Sequence, residues 1–349
     1  MRMHSDTVAR TPMKPDKLRE SITANDVAEL AGVSRWTVNR AFKTDASISS
    51  ESRRKVLEAA NQLGYTPDLI AASLASDRSN LVSLLIDDFS NPHKLVMMER
   101  LTRILRHSGW GTLLVNTLDA DDAALALVNA RQHRVDAAVL IGSQFSESIL
   151  AAAGGARQVK KLILFARYSA DPGTISVCCD DEAAMESIAD HVISRGYCRP
   201  VFVAGPQTQS AHVMRKETFL KRWQEARGEQ VAFTVVETYD PQIAYRQVTR
   251  YLSGLNRSEW PDILVCENDA LAMGAVDAIR YEFGLHVPDD IAVTGFDDTP
   301  VAANPNYRLT TYRQPITAMA EGLVGVLKGE YDADSLSHFV GRLVVRESA

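Results

Sequence analysis

The sequence predicts an α/β protein in two parts, a small all-helical head followed by a large body built on parallel sheets. Three observations carry this. Helix caps and short amphipathic runs crowd the stretch from Ile22 to Gly64. From Leu81 onward, short apolar runs alternate with helix-length amphipathic segments, the rhythm of a parallel sheet covered on both faces. A chain of 349 residues also exceeds one small domain, since domains of roughly 100–200 residues each predict two or three units.

Residues 1–20 are polar, contain Pro12 and Pro15 and show no period, so they read as a flexible tail. The head spans residues 21–67. Thr23-Ala-Asn-Asp26 has the spacing of a capping box, with Asp where Glu is commoner, and opens a helix whose apolar face is Val27, Ala28, Leu30 and Ala31. Gly32 ends that helix, and Val33 fills the turn. Ser34 stands where it caps a second helix, SRWTVNRAF, with Val38 and Ala41 turned inward and Arg35, Trp36 and Arg40 outward. Ser49 caps a third helix that packs Val56, Leu57, Ala60 and Leu63 before Gly64 stops it. Residues 68–79, including the short apolar run DLIAASLAS, read as a hinge that becomes helical only when docked.

Within residues 80–349 the strand-like runs are LVSLLID, TLLVNT, AAVLIG, KLILFA, SVCCD, VFVAG, FTVVET, DILVCEN and IAVTGFD. They exceed one comfortable open sheet, which predicts two similar subdomains side by side. A late strand RLTTYR, the helix ITAMAEGLVGVLKG and the tail SHFVGRLVVRES predict that the chain crosses back between them. The expected division is about 80–197 plus 308–331 for the first subdomain and about 198–307 plus 332–349 for the second.

Composition narrows the function classes. Apolar residues make up 46% and charged residues 23%, the balance of a folded protein rather than a disordered one. No run is apolar over the ~18 residues a membrane span needs, and MRMHSDTVARTPMKPDKLRE lacks a secretory signal's apolar core, so a cytoplasmic location without membrane contact is expected. Cys178, Cys179, Cys198 and Cys266 sit in apolar runs without CxxC spacing, reading as buried hydrophobes, with no metal site and no cofactor expected. There is no GxGxxG after a strand, no P-loop, no GxSxG elbow and no HExxH, so nothing supplies a nucleophile or a phosphate cradle and no catalytic residue is assigned. An enzyme on a doubly wound fold is the disfavoured alternative. Met1 to Arg78 carries 12 Lys/Arg against 10 Asp/Glu, the remainder 26 against 34, so a head of +2 precedes a body of −8. Such asymmetry points to phosphate contact at one end only.

A helix-turn-helix works by laying its second helix in the major groove of DNA. Arg35 or Arg40 would fork onto guanine, a contact of about 1–3 kcal/mol, while Trp36 would pack on a thymine methyl or sugar. Thr23, Ser34, Thr37 and Asn39 are candidate backbone contacts, which set register without reading sequence; Thr23 and Ser34 also serve as helix caps. In the body, ligands of parallel sheets bind beyond the carboxyl ends of strands. That rule collects Asp87, Asp88, Phe89, Arg167 and Tyr239, and then Asn268, Asp269, Asp297 and Asp298. Carboxylates, amides and arginine beside an aromatic face suit a sugar. Each strand-end Asp taken singly is as well explained as a helix cap.

The run from Thr23 to Ser76, TANDVAELAGVSRWTVNRAFKTDASISSESRRKVLEAANQLGYTPDLIAASLAS, resembles the headpiece of the LacI/GalR family of bacterial repressors. The runs SLLIDDFSNP, DHVISRGYCRPVFVAGP, CENDALAMGAVDAI and HVPDDIAVTGFDDTP resemble that family's effector domain, a fold shared with periplasmic sugar-binding proteins. The resemblance implies a helix-turn-helix headpiece before a two-subdomain, periplasmic-binding-protein-like body. It places Arg35, Trp36 and Arg40 at base-reading positions and Leu74 as a hinge wedge in the minor groove. It also places Arg215, Asn268 and Asp297 in an effector pocket, with Phe89, Asp180 and Tyr239 as further candidates. Ala72 and Ala75 stand where the family usually has arginine and Asp68 where it has asparagine, which removes positive charge from the hinge; Trp36 is an unusual specificity residue. The family's C-terminal tetramer-forming leucine repeat is missing, so a homodimer on a palindromic operator is expected. The function implied is a sequence-specific transcription regulator, a repressor, whose operator affinity is set by a small carbohydrate effector, a sugar or sugar acid. A nucleobase corepressor is the alternative.

Overall fold

The computed structural model describes residues 22–42, 46–67, 78–117, 120–142, 145, 159–169, 171–206, 213–331, 336 and 338–349. Two compact units divide it, residues Met1–Asp77 and Arg78–Ala349. The expected tail 1–20, most of the hinge and Leu74 lie outside the described residues.

In the head, α1 (Ala24–Ala31), α2 (Arg35–Ala41) and α3 (Ser50–Leu63) surround one small core. The Asp26 carboxylate accepts from the Thr23 backbone N–H at 2.7 Å and from its hydroxyl at 2.8 Å, which fixes the entry to α1. The left-handed turn at Gly32, φ 64°, then swings the chain into Ser34, whose hydroxyl accepts from Thr37 N–H at 3.2 Å and starts α2. Ser49 does the same for α3, accepting from Ser52 N–H at 3.1 Å. Arg53 donates to the carbonyl of Ala41 at 2.7 Å, so a cation satisfies an orphan acceptor at the C-terminus of α2. Val27, Val38 and Val56 are fully buried among alanines. Leu30 and Leu57, expected inside, are 46% and 44% exposed. Three short helices enclose a single layer of side chains, and Val and Ala fill it.

The body holds two sheets. The first orders its strands β2-β1-β3-β4-β5, all parallel: β1 (Leu81–Ile86), β2 (Gly111–Asn116), β3 (Ala137–Ile141), β4 (Leu162–Phe165) and β5 (Thr174–Val177). The second orders β11-β10-β9-β8-β6-β7, from β6 (Pro200–Ala204), β7 (Ala232–Val235), β8 (Ile263–Cys266), β9 (Ala292–Phe296), β10 (Thr310–Arg313) and β11 (Arg342–Val344). Only β11 runs antiparallel among these pairings. Strands fully buried on both faces, such as AAVLI and ILVC, are continuous apolar runs because helices cover both sides.

The subdomain boundaries require correction. Helix α6 (Asp181–Ser194) was expected in the first subdomain but packs on α7 (Arg215–Arg227) and touches β10 and β11. Strand β10 was also expected there, yet it pairs with β9 through Thr310 and Thr294. Nothing local in RLTTYR says which sheet accepts it; it joins β9, the strand before it, instead of crossing back. Helix α10 (Ile316–Lys328) does return to the first half, packing on α4 (His93–His107). Two crossing segments run side by side: Cys178 N–H donates to Leu336 O at 3.0 Å and Asp180 N–H to Phe339 O at 2.9 Å.

Cys178, Cys179 and Cys266 are buried as expected, but Cys198 is exposed, on the loop between α6 and β6, where Asp262 anchors its backbone N–H at 2.7 Å. Among the described residues no helix is long and apolar enough to cross a membrane, and no group of three or more His, Cys, Asp or Glu could hold a metal ion.

Helices α8 (Pro241–Ser253) and α9 (Asp269–Asp277) meet at Gly274, where an added Cβ would overlap the Pro241 carbonyl and the Ala244 side chain. Overpacking against backbone leaves little to relax, so Gly274→Ala is expected to lower stability by about 1–3 kcal/mol. A urea midpoint equal to that of the wild type would show that the two helices separate freely.

Candidate functional site

Two surfaces gather the predicted residues, one in each unit. On the head, Arg35, Trp36 and Asn39 are exposed on α2, with Trp36 at 65%. Thr23 and Ser34 are exposed at the starts of α1 and α2, and the Ser34 and Thr37 hydroxyls bond each other at 2.9 Å. Arg40 behaves differently from the outward reader expected. Its guanidinium stacks over the Trp36 ring at 4.5 Å and donates through Nε and Nη2 to Ser47 O at 3.2 and 2.9 Å. The fork is committed to the backbone, and it braces the indole from behind.

In the body, the carboxyl ends of the strands from both sheets converge on a cavity of about 40 Å³. Arg215, at the first turn of α7, is nearly fully buried. Its Nε donates to Asp181 at 3.1 Å, its Nη1 to Glu267 O at 3.0 Å, and its guanidinium lies over the Phe296 ring at 3.6 Å. Asn268 caps α9, accepting from Leu271 N–H at 3.0 Å, while its residue also lines the cavity. Asp297, held at φ 116°, accepts from Gln314 Nε2 at 2.7 Å and stands 3.7 Å from His93 Nε2. That backbone region is unfavourable for any side chain but is found where a functional group is over-determined by its surroundings.

A second chain of bonds joins the halves. Arg167, just past β4, donates to the Tyr239 hydroxyl at 3.0 Å; Tyr239 donates to Glu267, which also accepts from Gly205 N–H at 3.0 Å. Gly205 is required because a Cβ there would occupy the Tyr239 ring. Lys94, in the first turn of α4, reaches Asp87 at 3.3 Å and Ile141 O at 3.2 Å.

Of the predicted pocket residues, Arg215, Tyr239, Asn268 and Asp297 line the cavity, as does Arg167 from the strand-end set. Phe89 and Asp180 do not line it and are corrected. Phe89 is exposed in the turn after Asp88, and Asp180 caps α6 by accepting from Ala183 N–H at 2.9 Å, leaving the neighbouring Asp181 to face Arg215. His93, Lys94 and Gln314 line the cavity without having been singled out, and Asp181 and Glu267 support it from behind. Glu267 and Gln314 each follow a strand directly, so the strand-end rule would have found both.

Comparison with known proteins follows from this geometry. The model for bacterial regulatory proteins of the lacI family matches residues 23–68, and that for a periplasmic binding protein-like domain matches residues 189–349. The chain belongs to the lacI family of bacterial regulatory proteins. The HTH-type transcriptional repressor PurR of Proteus mirabilis is 27% identical over 84% of this chain and 85% of its own length. The sucrose operon repressor of Escherichia coli is 28% identical over 78% of this chain and 83% of its own. A crystal structure of the lac repressor dimer bound to operator and the anti-inducer ONPF superposes with a TM-score of 0.77 at 22% identity, covering 94% of this chain and 99% of that one. The CelR–cellobiose complex gives 0.67 at 24% identity, covering 94% and 100%. These structural likenesses show the fold. Family membership makes this chain a DNA-binding, ligand-responsive transcriptional repressor, and the relatives named here are regulators rather than enzymes.

Burial sets the protonation states in this lacI-family cleft. Burial first, then the nearby Arg215 and Lys94 cations, hold His93 down at about 3, so its imidazole is neutral. Burial also lowers Lys94, against the pull of Asp87, and raises Asp181 and Asp297 despite the Arg215 guanidinium beside each. Burial opposes the charge of Arg215, yet the carboxylates of Asp181, Asp297 and Glu267 outweigh it and raise its pKa.

The sign of the histidine effect is definite. Below the ordinary value of 6.5 the unfolded chain takes up a proton at His93 that the native state refuses down to about 3, so stability is lost as the pH is lowered through that window. Each pH unit is worth about 1.4 kcal/mol. Between pH 6.5 and 4.5, the wild type is expected to lose about 2 kcal/mol more than His93→Gln in urea unfolding. Parallel profiles for the two proteins would refute a buried neutral imidazole.

Proposed function

We propose that this repressor reads duplex DNA with the exposed flank of α2 and that a small hydroxylated effector, a sugar or sugar acid, bound in the cleft of the body sets its affinity for the operator. The observation that carries the reading is the concentration of nearly buried polar side chains, Arg215, Asn268, Asp297, His93 and Gln314, around one cavity at the carboxyl ends of two parallel sheets. Such groups are costly to bury and are retained where a ligand uses them.

Arg35 and Trp36 carry base reading in this proposal, with Arg40 as the brace of the indole. Thr23, Ser34, Thr37 and Asn39 supply backbone contacts. The Ser34 hydroxyl already serves its own helix, so its contribution to DNA is the position of the N-terminal turn of α2. A homodimer on a two-fold symmetric operator suits this arrangement. The effector acts through its different affinity for two arrangements of the body, since a ligand binding both equally would shift nothing.

Selection of duplexes from a random pool by the full chain provides the operator for testing. Arg35→Ala is expected to weaken that duplex by about 1–3 kcal/mol and to relax preference at one position of each half-site. Trp36→Ala should weaken it as well. A uniform loss across all sequences, with no position relaxed, would demote both residues to phosphate contacts.

A further inference from the structure

We propose that the effector is an anionic polyol, a small hydroxylated molecule carrying a carboxylate or a phosphoryl group. This rests on the cleft being the effector site. The cavity wall is electrically asymmetric. Lys94, Arg167 and Arg215 line it, whereas Asp87 and Asp181, which pair with Lys94 and Arg215, and Glu267, which reaches Arg167 through Tyr239, are not among the lining residues. Asp297 is the one carboxylate among the described lining residues. The cations therefore stand in front and their counter-charges behind, which presents a positive face to whatever enters.

Backbone dipoles add to that face. His93 and Lys94 begin the 15-residue helix α4, Arg215 begins the 13-residue α7, and Asn268 caps the 9-residue α9, so the N-terminal turns of three helices border the cavity.

Two unpartnered polar atoms give independent evidence for a ligand. His93 Nδ1 and Gln314 Oε1 are buried without a hydrogen-bond partner, and both residues line the cavity from opposite halves of the body. An unpaired buried polar group costs about 1–3 kcal/mol. A hydroxyl both donates and accepts, so it satisfies the neutral imidazole in either tautomer together with the amide oxygen. The polyol part of the effector thus belongs beside His93, Gln314 and Asp297, and the anionic group beside Arg167 and Lys94.

On the cavity wall Arg167 donates to a neutral acceptor, the Tyr239 hydroxyl, at 3.0 Å. A neutral sugar offers hydroxyls that solvate a buried cation poorly, while a carboxylate or phosphoryl group offers a charge-assisted fork.

Calorimetric titration of the full chain tests this with matched pairs: aldonates, uronates, aldarates and hexose phosphates, each beside its neutral aldose or alditol. The expected result is an acid that binds at least about 10-fold tighter than its neutral partner, and a loss for that acid in Arg167→Gln at least about 10-fold larger than for the neutral compound. The carboxylate and phosphoryl arms identify which anion is used. A neutral compound binding as tightly as its acid overturns the charge assignment; if that binding is weakened in Gln314→Ala, whose urea midpoint is measured alongside, the cleft stands as the effector site. Acid binding indifferent to both Arg167→Gln and Arg215→Gln removes the cleft itself. Absence of binding in every arm overturns both.

Discussion

The guanidinium of Arg215 is buried where three segments meet: the start of α6 through Asp181, the end of β8 through the Glu267 carbonyl, and the end of β9 through the Phe296 ring. Leaving a charge there uncompensated would cost several kcal/mol, so the three segments are held at one spacing. Asn268 follows Glu267 directly and Asp297 follows Phe296 directly, so both stand beside these contacts. The polar groups around the cleft share partners, Arg215 with Asp181 and the Glu267 carbonyl, Gln314 with Asp297.

The head obeys a different economy. Its buried core is a few valines and alanines, with Phe42, Ile48, Leu63 and Tyr65 packed at the edge. Orientation comes from polar ends: the Asp26 reach to Thr23, the Ser34 cap and the Arg53 bond to Ala41 O. Because these are local or near-local bonds, the helices were legible from Thr23, Ser34, Ser49, Gly32 and Gly64 in the sequence. Leu30 and Leu57 misled because helical spacing alone overstates how wide the buried stripe is when the partner helices are short. Arg53 was invisible, since its acceptor is twelve residues away on another helix.

In the body, element types were legible and element partners were not. Apolar runs bounded by polar turns mark all the strands of the first sheet, but β10 and α6 join the second half through contacts no local pattern encodes. The same division holds for the cleft. Arg215, Asn268, Asp297, Tyr239 and Arg167 follow strand ends or the family's pattern. Lys94 and His93 sit on an amphipathic helix, where a basic residue ordinarily marks the solvent face; Lys94 is instead drawn in by Asp87 and Ile141 O, and His93 stands against Gln314 and Asp297. Phe89 and Asp180 show the converse, residues at plausible strand ends of which one is left exposed in a turn and the other caps α6.

The paired crossing segments have a mechanical consequence. The chain passes between the two halves after β5, after β10 and again before β11, and the first and last of these passages are hydrogen-bonded to each other around Cys178 and Phe339. Two of the three connections are thus bonded to each other, so a separation of the halves at that edge would have to break backbone hydrogen bonds, whereas the far rim of each sheet carries no such cost.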